Sequence, residues 1–174
     1  MRRVALIAAT IVVLDQLTKL LVTGYIDGRE SLVVVNGFFN LVNWGNTGAA
    51  WGIFQRFNLV LAAVSIATIL ALYLFRHSFQ LHRTGNAFAL GLIAGGIVGN
   101  FIDRIRLGHV VDFLDFYTNV EPIASWLGRT LGSNHWPAFN VADSAICVGV
   151  VLYIIASWRS DQEPQTAGAP AGTS

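Results

Sequence analysis

The sequence is poor in charged residues. Of its 174 residues only 12% are charged, about half the share of an ordinary soluble domain, whereas 54% are hydrophobic. A core in a chain of this size could not hide so much apolar surface, which excludes a conventional water-soluble globule. A disordered chain would need the opposite bias. The net charge of +1 comes without clustered lysine and arginine, so we expect no nucleic-acid partner.

Cysteine and histidine are also scarce. The single cysteine, Cys147, excludes an intramolecular disulfide framework and a cysteine-rich metal site. It falls inside an apolar stretch, where we expect a buried and inert thiol. His77 and His82 lie together outside the apolar stretches, while His109 and His135 are isolated, so no set of zinc ligands is apparent. We therefore expect neither a metal nor another cofactor.

The hydrophobic residues are gathered into four stretches, each close to the about 20 residues that an apolar helix needs to cross a bilayer. They span residues 4–25, 59–75, 87–102 and 141–158. The third is short and carries glycines at helical spacing, which lets helix backbones approach closely in lipid. The first begins like a secretory signal peptide, but charged residues interrupt it, so we expect it to be retained. The pattern predicts an all-α membrane protein with four transmembrane helices in one domain, residues 1–158.

Basic residues flank the helix ends on one side of this alternating topology. They are Arg2, Arg3, Arg76, Arg83 and Arg159, with His77 and His82. The positive-inside rule makes that side cytoplasmic, so both termini are predicted inside, and segments 26–58 and 103–140 become two outer loops. Residues 159–174 lack apolar periodicity and are predicted to form a disordered cytoplasmic tail.

The first outer loop carries a hairpin signal. Apolar runs at 32–35 and 38–42 flank Asn36-Gly37, a dipeptide typical of tight β-turns. We expect a small extracytoplasmic β-cradle that rests on the helices or the membrane surface, since so few strands are not stable alone. The tryptophans of the outer segments suit interfacial anchoring. They are Trp44, Trp51, Trp126 and Trp136.

Several polar residues lie inside or beside the predicted spans, where charge is costly and usually marks function. Asp15 and Lys19 are four residues apart and can pair on one helix face, so a purely structural ion pair is an open alternative. Asp15, Asp103, Asp112 and Asp143 all fall at one depth, near the outer boundary. Helix N-capping is an alternative role for Asp143 or for Asn140, which precedes it.

Two carboxylates held close together cannot both ionise easily, so one keeps a proton while the other stays anionic. Such a pair can activate water for attack on a peptide carbonyl without a metal. A small proton- or ion-coupled transporter is the alternative from another class, because intramembrane carboxylates also mark ion paths. The halves of the chain show no internal repeat, however, and the acids gather at one surface rather than at the midplane. A structural subunit would explain the small-residue face but not the acids.

Five sequence blocks in order resemble the bacterial lipoprotein signal peptidases, also called signal peptidase II. The blocks are Asp15-Gln16-Leu17-Thr18-Lys19, Asn46-Thr47-Gly48-Ala49-Ala50-Trp51, residues 95–104 (GGIVGNFIDR), Val110-Val111-Asp112-Phe113 and Phe139-Asn140-Val141-Ala142-Asp143. The resemblance extends over nearly the whole chain up to Trp158. Two features depart from it: residues 113–139 look longer than usual, and Trp51 stands where phenylalanine is common.

The resemblance implies an aspartyl endopeptidase of the bacterial inner membrane. Such an enzyme removes signal peptides from prolipoproteins by cutting before a diacylglyceryl-modified cysteine, and Asp112 and Asp143 match its catalytic pair. Substrate-binding or supporting positions match Asp15, Lys19, Asn46, Gly48, Asn100, Asp103, Arg104 and Asn140. The implied partners are lipidated prolipoproteins and membrane lipids, the implied inhibitor is the cyclic peptide globomycin, and nothing requires more than a monomer.

Overall fold

The computed structural model describes residues 1–26, 31–48 and 57–162. Its elements, in chain order, are α1 (Arg2–Tyr25), β1 (Leu32–Val35), β2 (Phe39–Asn46), α2 (Asn58–Leu74), α3 (Thr84–Leu107), β3 (Val110–Phe116), α4 (Ile123–Leu131) and α5 (Val141–Gln162). The four predicted apolar stretches are all helices. Three of them, α1, α3 and the 141–158 part of α5, are long and apolar enough to cross a membrane. α2 is apolar but only 17 residues long, so the prediction of a fourth span rests on other grounds.

Helix α3 is longer than predicted at both ends. It continues past 102 through a polar turn that includes Asp103 and Arg104, and it ends at Gly108, whose φ of 77° suits a glycine helix terminus. Hydropathy placed the boundary where the apolar run stops, although the helix itself continues. Asp103 and Arg104 therefore lie within the last turns of a rigid helix rather than in a loop.

α3 is the central helix and packs against α1, α2 and α5. Its glycines make this possible: a Cβ added at Gly91 would lie 2.6 Å from Ile7 Cβ on α1, and one added at Gly96 would overlap the Ala142 carbonyl oxygen on α5. The predicted small-residue face thus lets two helices approach the α3 backbone closely.

The two segments predicted as outer loops form a three-stranded antiparallel sheet in the order β1-β2-β3. The predicted hairpin is confirmed, with Leu32 opposite Leu41 and Gly37 at φ 77° in the turn. β3 comes from the other outer segment and pairs with β2, so that Asn46 lies opposite Val110. The second outer segment, expected as a loop, therefore contributes a strand and the short helix α4. Long-range pairing with β2 supplies the strand that local sequence did not reveal.

A small apolar cluster joins the sheet to the end of α1. Val22, Ile26 and Phe113 are buried together, and Leu41 and Leu114 pack against them. This contact fixes β3 above the C-terminal end of α1, which positions Asp112 beside the start of α5.

Large apolar side chains cover the outward faces of α1, α2 and α5, as lipid-facing surfaces require. Cys147 lies on such a face, and its expected burial is wrong. Apolar neighbours in the sequence could not distinguish a side chain covered by protein from one that faces lipid. α5 continues to Gln162, beyond the predicted end at 158, and residues 163–174 lie outside the described part.

Candidate active site

Asp112 lies in β3 and is almost fully buried, with 3% of its surface exposed. Both carboxylate oxygens accept a hydrogen bond from a neutral amide. Asn46 Nδ2, from the paired strand β2, lies 2.9 Å from Oδ2, and Asn140 Nδ2 lies 2.8 Å from Oδ1. These donors orient the carboxylate without placing a full positive charge against it.

Asp143 lies in the first turn of α5 and belongs to its N-terminal cap. The Asp143 amide donates to Asn140 Oδ1 at 2.9 Å, and the Asn140 amide donates back to Asp143 Oδ2 at 3.3 Å. This reciprocal pattern is a capping box. Asn140 and Asp143 therefore cap α5, as the alternative role predicted, and Asp143 also lies close to the other acids. A third donor, Asn100 Nδ2, lies 2.7 Å from Asp143 Oδ1.

Asn140 links the two aspartates through one fully buried side chain. Its Nδ2 donates to Asp112, while its Oδ1 accepts the backbone N–H of Asp143. The strand-borne carboxylate and the helix-borne carboxylate are thereby held in one unit, although they are separated by the whole segment 113–142.

The electrostatics of the pair raise the pKa of Asp112 from its ordinary value of 3.8 to about 7. Burial is the largest cause, and the negative charge of Asp143 adds to it; hydrogen bonds from Asn46 and Asn140 and the charge of Lys19 act in the opposite direction. A carboxyl group with a pKa near neutrality can hold or release a proton at physiological pH. Such perturbed acids are typical of catalytic sites.

A buried ionic cluster lies behind this pair. Lys19 Nζ is 2.9 Å from Asp15 Oδ2 and 2.7 Å from Asp103 Oδ2, and all three side chains are at most 4% exposed. The predicted pairing of Asp15 with Lys19 is confirmed, and Asp103 joins it from α3. Lys19 also donates to Asn100 Oδ1 at 3.1 Å, which connects the cluster to the amides around the two aspartates.

Gly48 and Arg104 close the side of the site next to β2. The Gly48 amide donates to Asn46 Oδ1 at 2.9 Å, and Arg104 Nη2 donates to the Gly48 carbonyl at 3.3 Å. Arg104 thus ties the end of β2 to α3. All ten residues singled out from the sequence consequently fall within one hydrogen-bonded assembly.

Other polar residues of this region were not singled out from the sequence. Gln16 donates to Asp103 Oδ1 at 2.9 Å. Its position beside Asp15 in the first sequence block could have indicated that it belongs to the site. His135, expected to be isolated, is paired: its Nδ1 lies 2.8 Å from Oδ1 of the fully buried Asp115. An antiparallel bridge between Tyr117 and His135 brings these two side chains together. Trp51 lies outside the described residues.

The family comparison fits this geometry. The family model described as signal peptidase (SPase) II matches residues 7–159. The chain belongs to the signal peptidase II family. Among similar curated proteins, a lipoprotein signal peptidase of Desulforapulum autotrophicum is 42% identical over 87% of this chain and 89% of its own length. One from Syntrophotalea carbinolica is 41% identical over 91% of this chain and 92% of its own length.

Solved structures of bacterial membrane enzymes share the fold of this signal peptidase II family member. One, determined by the in meso method at 2.3 Å resolution, superposes with a TM-score of 0.76 at 28% identity and covers 100% of this chain and 96% of its own. Another, at 1.9 Å resolution, gives a TM-score of 0.71 at 32% identity over 90% and 93% of the two chains. With the three apolar helices long enough to span a bilayer, these likenesses identify a multi-pass membrane protein.

Proposed function

We propose that the chain is an aspartic endopeptidase that cleaves signal peptides from diacylglyceryl-modified prolipoproteins, before the lipidated cysteine, during lipoprotein maturation. Membership of the signal peptidase II family and relatives named lipoprotein signal peptidase support the substrate class. The observation that carries the catalytic class is the joining of Asp112 and Asp143 by Asn140. Two linked carboxyl groups, one with a pKa near neutrality, suit acid–base attack by water.

The surroundings of the two aspartates favour a different catalytic role for each. Asp143 lies at a helix N-terminus and accepts two N–H donors, which stabilise its anion, so it serves as the general base. Asp112 holds the proton. Water gives a proton to Asp143 as its oxygen bonds to the peptide carbonyl carbon, while Asp112 donates to the carbonyl oxygen. The resulting tetrahedral intermediate loses its C–N bond as the departing nitrogen takes the proton from Asp143, and the re-forming carbonyl returns a proton to Asp112.

The sheet supports a four-span topology with the site at the outer face. β1 and β2 follow α1 while β3 follows α3, so the C-terminal ends of α1 and α3 must lie on the same side of the membrane. The chain between them therefore crosses back, and α2 is the segment that can do so; its 17 residues span about 26 Å. The opposite side carries Arg76 and Arg83, at the two ends of the connection between α2 and α3, and the arginines of the N-terminus. This distribution suits the cytoplasm of a bacterial inner membrane.

A lipidated prolipoprotein suits this geometry. Its signal peptide enters as a membrane helix, and the scissile amide must be unwound before water can reach it. The acyl chains can stay in lipid beside the lipid-facing helices while the peptide lies against Asp112 on the strand side and Asp143 on the helix side. We expect the enzyme to act as a monomer without a cofactor, and globomycin to compete for the peptide groove.

Cleavage of a purified, diacylglyceryl-modified prolipoprotein in nanodiscs tests the proposal. We expect turnover that depends on the lipid, persists in chelator and stops with globomycin. Asp112→Asn and Asp143→Asn should each lower kcat by at least about 1,000-fold while the proteins stay folded. Thr18→Val is a matched control, because the Thr18 hydroxyl bonds to carbonyls of its own helix. Normal turnover by either aspartate variant would refute the proposed pair.

A further inference from the structure

The cluster of Asp15, Lys19 and Asp103 bonds to the backbone immediately before each proposed catalytic aspartate. The amide of Val111, which precedes Asp112, donates to Asp103 Oδ2 at 3.2 Å. The amide of Ala142, which precedes Asp143, donates to Asp15 Oδ1 at 3.0 Å. One carboxylate of the cluster therefore holds β3 and the other holds the first turn of α5.

Lys19 joins these two carboxylates. Its Nζ lies 2.9 Å from Asp15 and 2.7 Å from Asp103, and its side chain is 4% exposed. Without the ammonium group, two buried carboxylates would repel each other and separate the backbone segments that they hold. The spacing between β3 and α5 thus depends on a residue of α1.

Lys19 also fixes the direction of the Asn100 amide. An ammonium group donates hydrogen bonds and accepts none, so Asn100 must turn its Oδ1 toward Lys19, at 3.1 Å. Its Nδ2 then points at Asp143 Oδ1, at 2.7 Å. Asn140 Nδ2, 3.2 Å from the same Asn100 oxygen, agrees with this direction. If the amide reversed, its oxygen would face the Asp143 carboxylate and its NH₂ group would face the ammonium.

We propose that Lys19 is a positioning residue that sets both the separation of Asp112 and Asp143 and the direction of the hydrogen bond that Asp143 receives. This inference rests on the proposed function, because it assigns Lys19 to the working geometry of that pair. A structural ion pair alone would require only that Lys19 neutralise its neighbours.

Lys19→Met tests the role, because it keeps the length of the side chain and removes the ammonium. A displacement of reacting groups by about 1 Å costs about 100-fold in rate. We expect kcat per folded molecule to fall about 100-fold while KM changes less than about threefold, since the change lies behind the aspartates. A merely structural Lys19 would lower the yield and melting temperature of the enzyme but leave kcat per folded molecule unchanged. Thr18→Val, one residue away on α1, is expected to match the wild type in both kcat and melting temperature.

A charge-balanced variant keeps the test decisive if Lys19→Met folds poorly. Lys19→Met with Asp103→Asn leaves the cluster the same formal charge as the wild type, and the Oδ1 of the introduced asparagine can still accept from the Val111 amide. We expect this double variant to fold and to retain the low kcat, because the ammonium no longer holds the Asn100 oxygen away from Asp143 and only the longer contact from Asn140 Nδ2, at 3.2 Å, still favours that direction. Wild-type kcat in either variant would overturn the proposal.

The outcome is separable from that of the proposed function. If the wild type cleaves the lipidated substrate, Asp112→Asn does not, and Lys19→Met cleaves normally, only the role of Lys19 fails. If Asp112→Asn also cleaves normally, the aspartyl mechanism itself fails.

Discussion

Replacing Asp112 with asparagine should stabilise the protein at alkaline pH. The folded state raises the pKa of Asp112 from 3.8 to about 7, so between these pH values the folded protein keeps a proton that the unfolded chain has released. Stability contributed by that proton is complete below about pH 4 and is lost as pH rises through about 7. The asparagine side chain is neutral at every pH, so the substitution removes this loss.

The magnitude follows from the size of the pKa difference. The interval from 3.8 to about 7 corresponds to about 4 kcal/mol of stability that the wild type lacks above neutrality. Asparagine offers one acceptor oxygen where the carboxylate offers two, so the donor from Asn46 or from Asn140 loses its partner, at a cost of about 1–2 kcal/mol. We expect Asp112→Asn to be about 2–3 kcal/mol more stable than the wild type at pH 8 and about 1–2 kcal/mol less stable near pH 4, where only the cost of the lost acceptor remains.

Thermal unfolding in nanodiscs, followed by tryptophan fluorescence from pH 4 to 9, measures this difference. A gain of that size in a chain of this length raises Tm by about 5–10 °C. Thr18→Val supplies the control for the effect of substitution itself, since its hydroxyl bonds within α1 rather than to Asp112. Parallel Tm curves for the wild type and Asp112→Asn across the whole pH range would refute the assignment of a raised pKa to this carboxyl.

Three further outcomes are expected. The rate kcat/KM should fall about tenfold per pH unit above about pH 7, as Asp112 loses the proton that it must donate; a constant rate to pH 9 in a stopped-flow or gel cleavage assay would contradict this. Gly99→Ala would bring a Cβ within 2.6 Å of a carboxylate oxygen of the buried Asp15 on α1, so we expect at least tenfold lower activity and a free energy of unfolding lower by about 1–3 kcal/mol. The control is Gly128→Ala, where the added methyl group meets open space and should change neither quantity much. His135→Ala removes the imidazole that pairs with Asp115 and leaves Asn40 bonded to that carboxylate, so we expect limited proteolysis within 117–134 to become about tenfold faster while substrate cleavage continues. Equal proteolysis rates would show that the pair does not hold this segment.

Helices and local pairs could be predicted from the sequence because their causes are local. A membrane helix needs only length and apolar composition, an ion pair such as Asp15 with Lys19 needs only one helical turn, and the hairpin at Asn36-Gly37 needs only its turn residues. The positions of these features followed directly from spacing along the chain.

Contacts that depend on packing between distant segments could not be predicted in this way. The bond from Val111 to Asp103 forms where the chain turns at Gly108 from α3 into β3. His135 meets Asp115 because its segment pairs with the end of β3, through the bridge between Tyr117 and His135. The polar end of α3 was expected as loop because hydropathy measures affinity for lipid rather than helicity. The five sequence blocks indicated which residues belong to the site, whereas the hydrogen-bond directions needed the structure.

The two aspartates are contacted by neutral amides rather than by lysine or arginine, and this has an electrostatic consequence. A lysine or arginine in direct contact with a carboxylate lowers its pKa by about 1–3. Such a contact would leave Asp112 anionic at neutral pH and unable to donate a proton. Asn46 and Asn140 instead orient it with partial charges. The ammonium of Lys19 is separated from Asp112 by both Asn100 and Asn140. The cation is thus near enough to neutralise the buried acids of α1 and α3, and far enough for Asp112 to keep its proton.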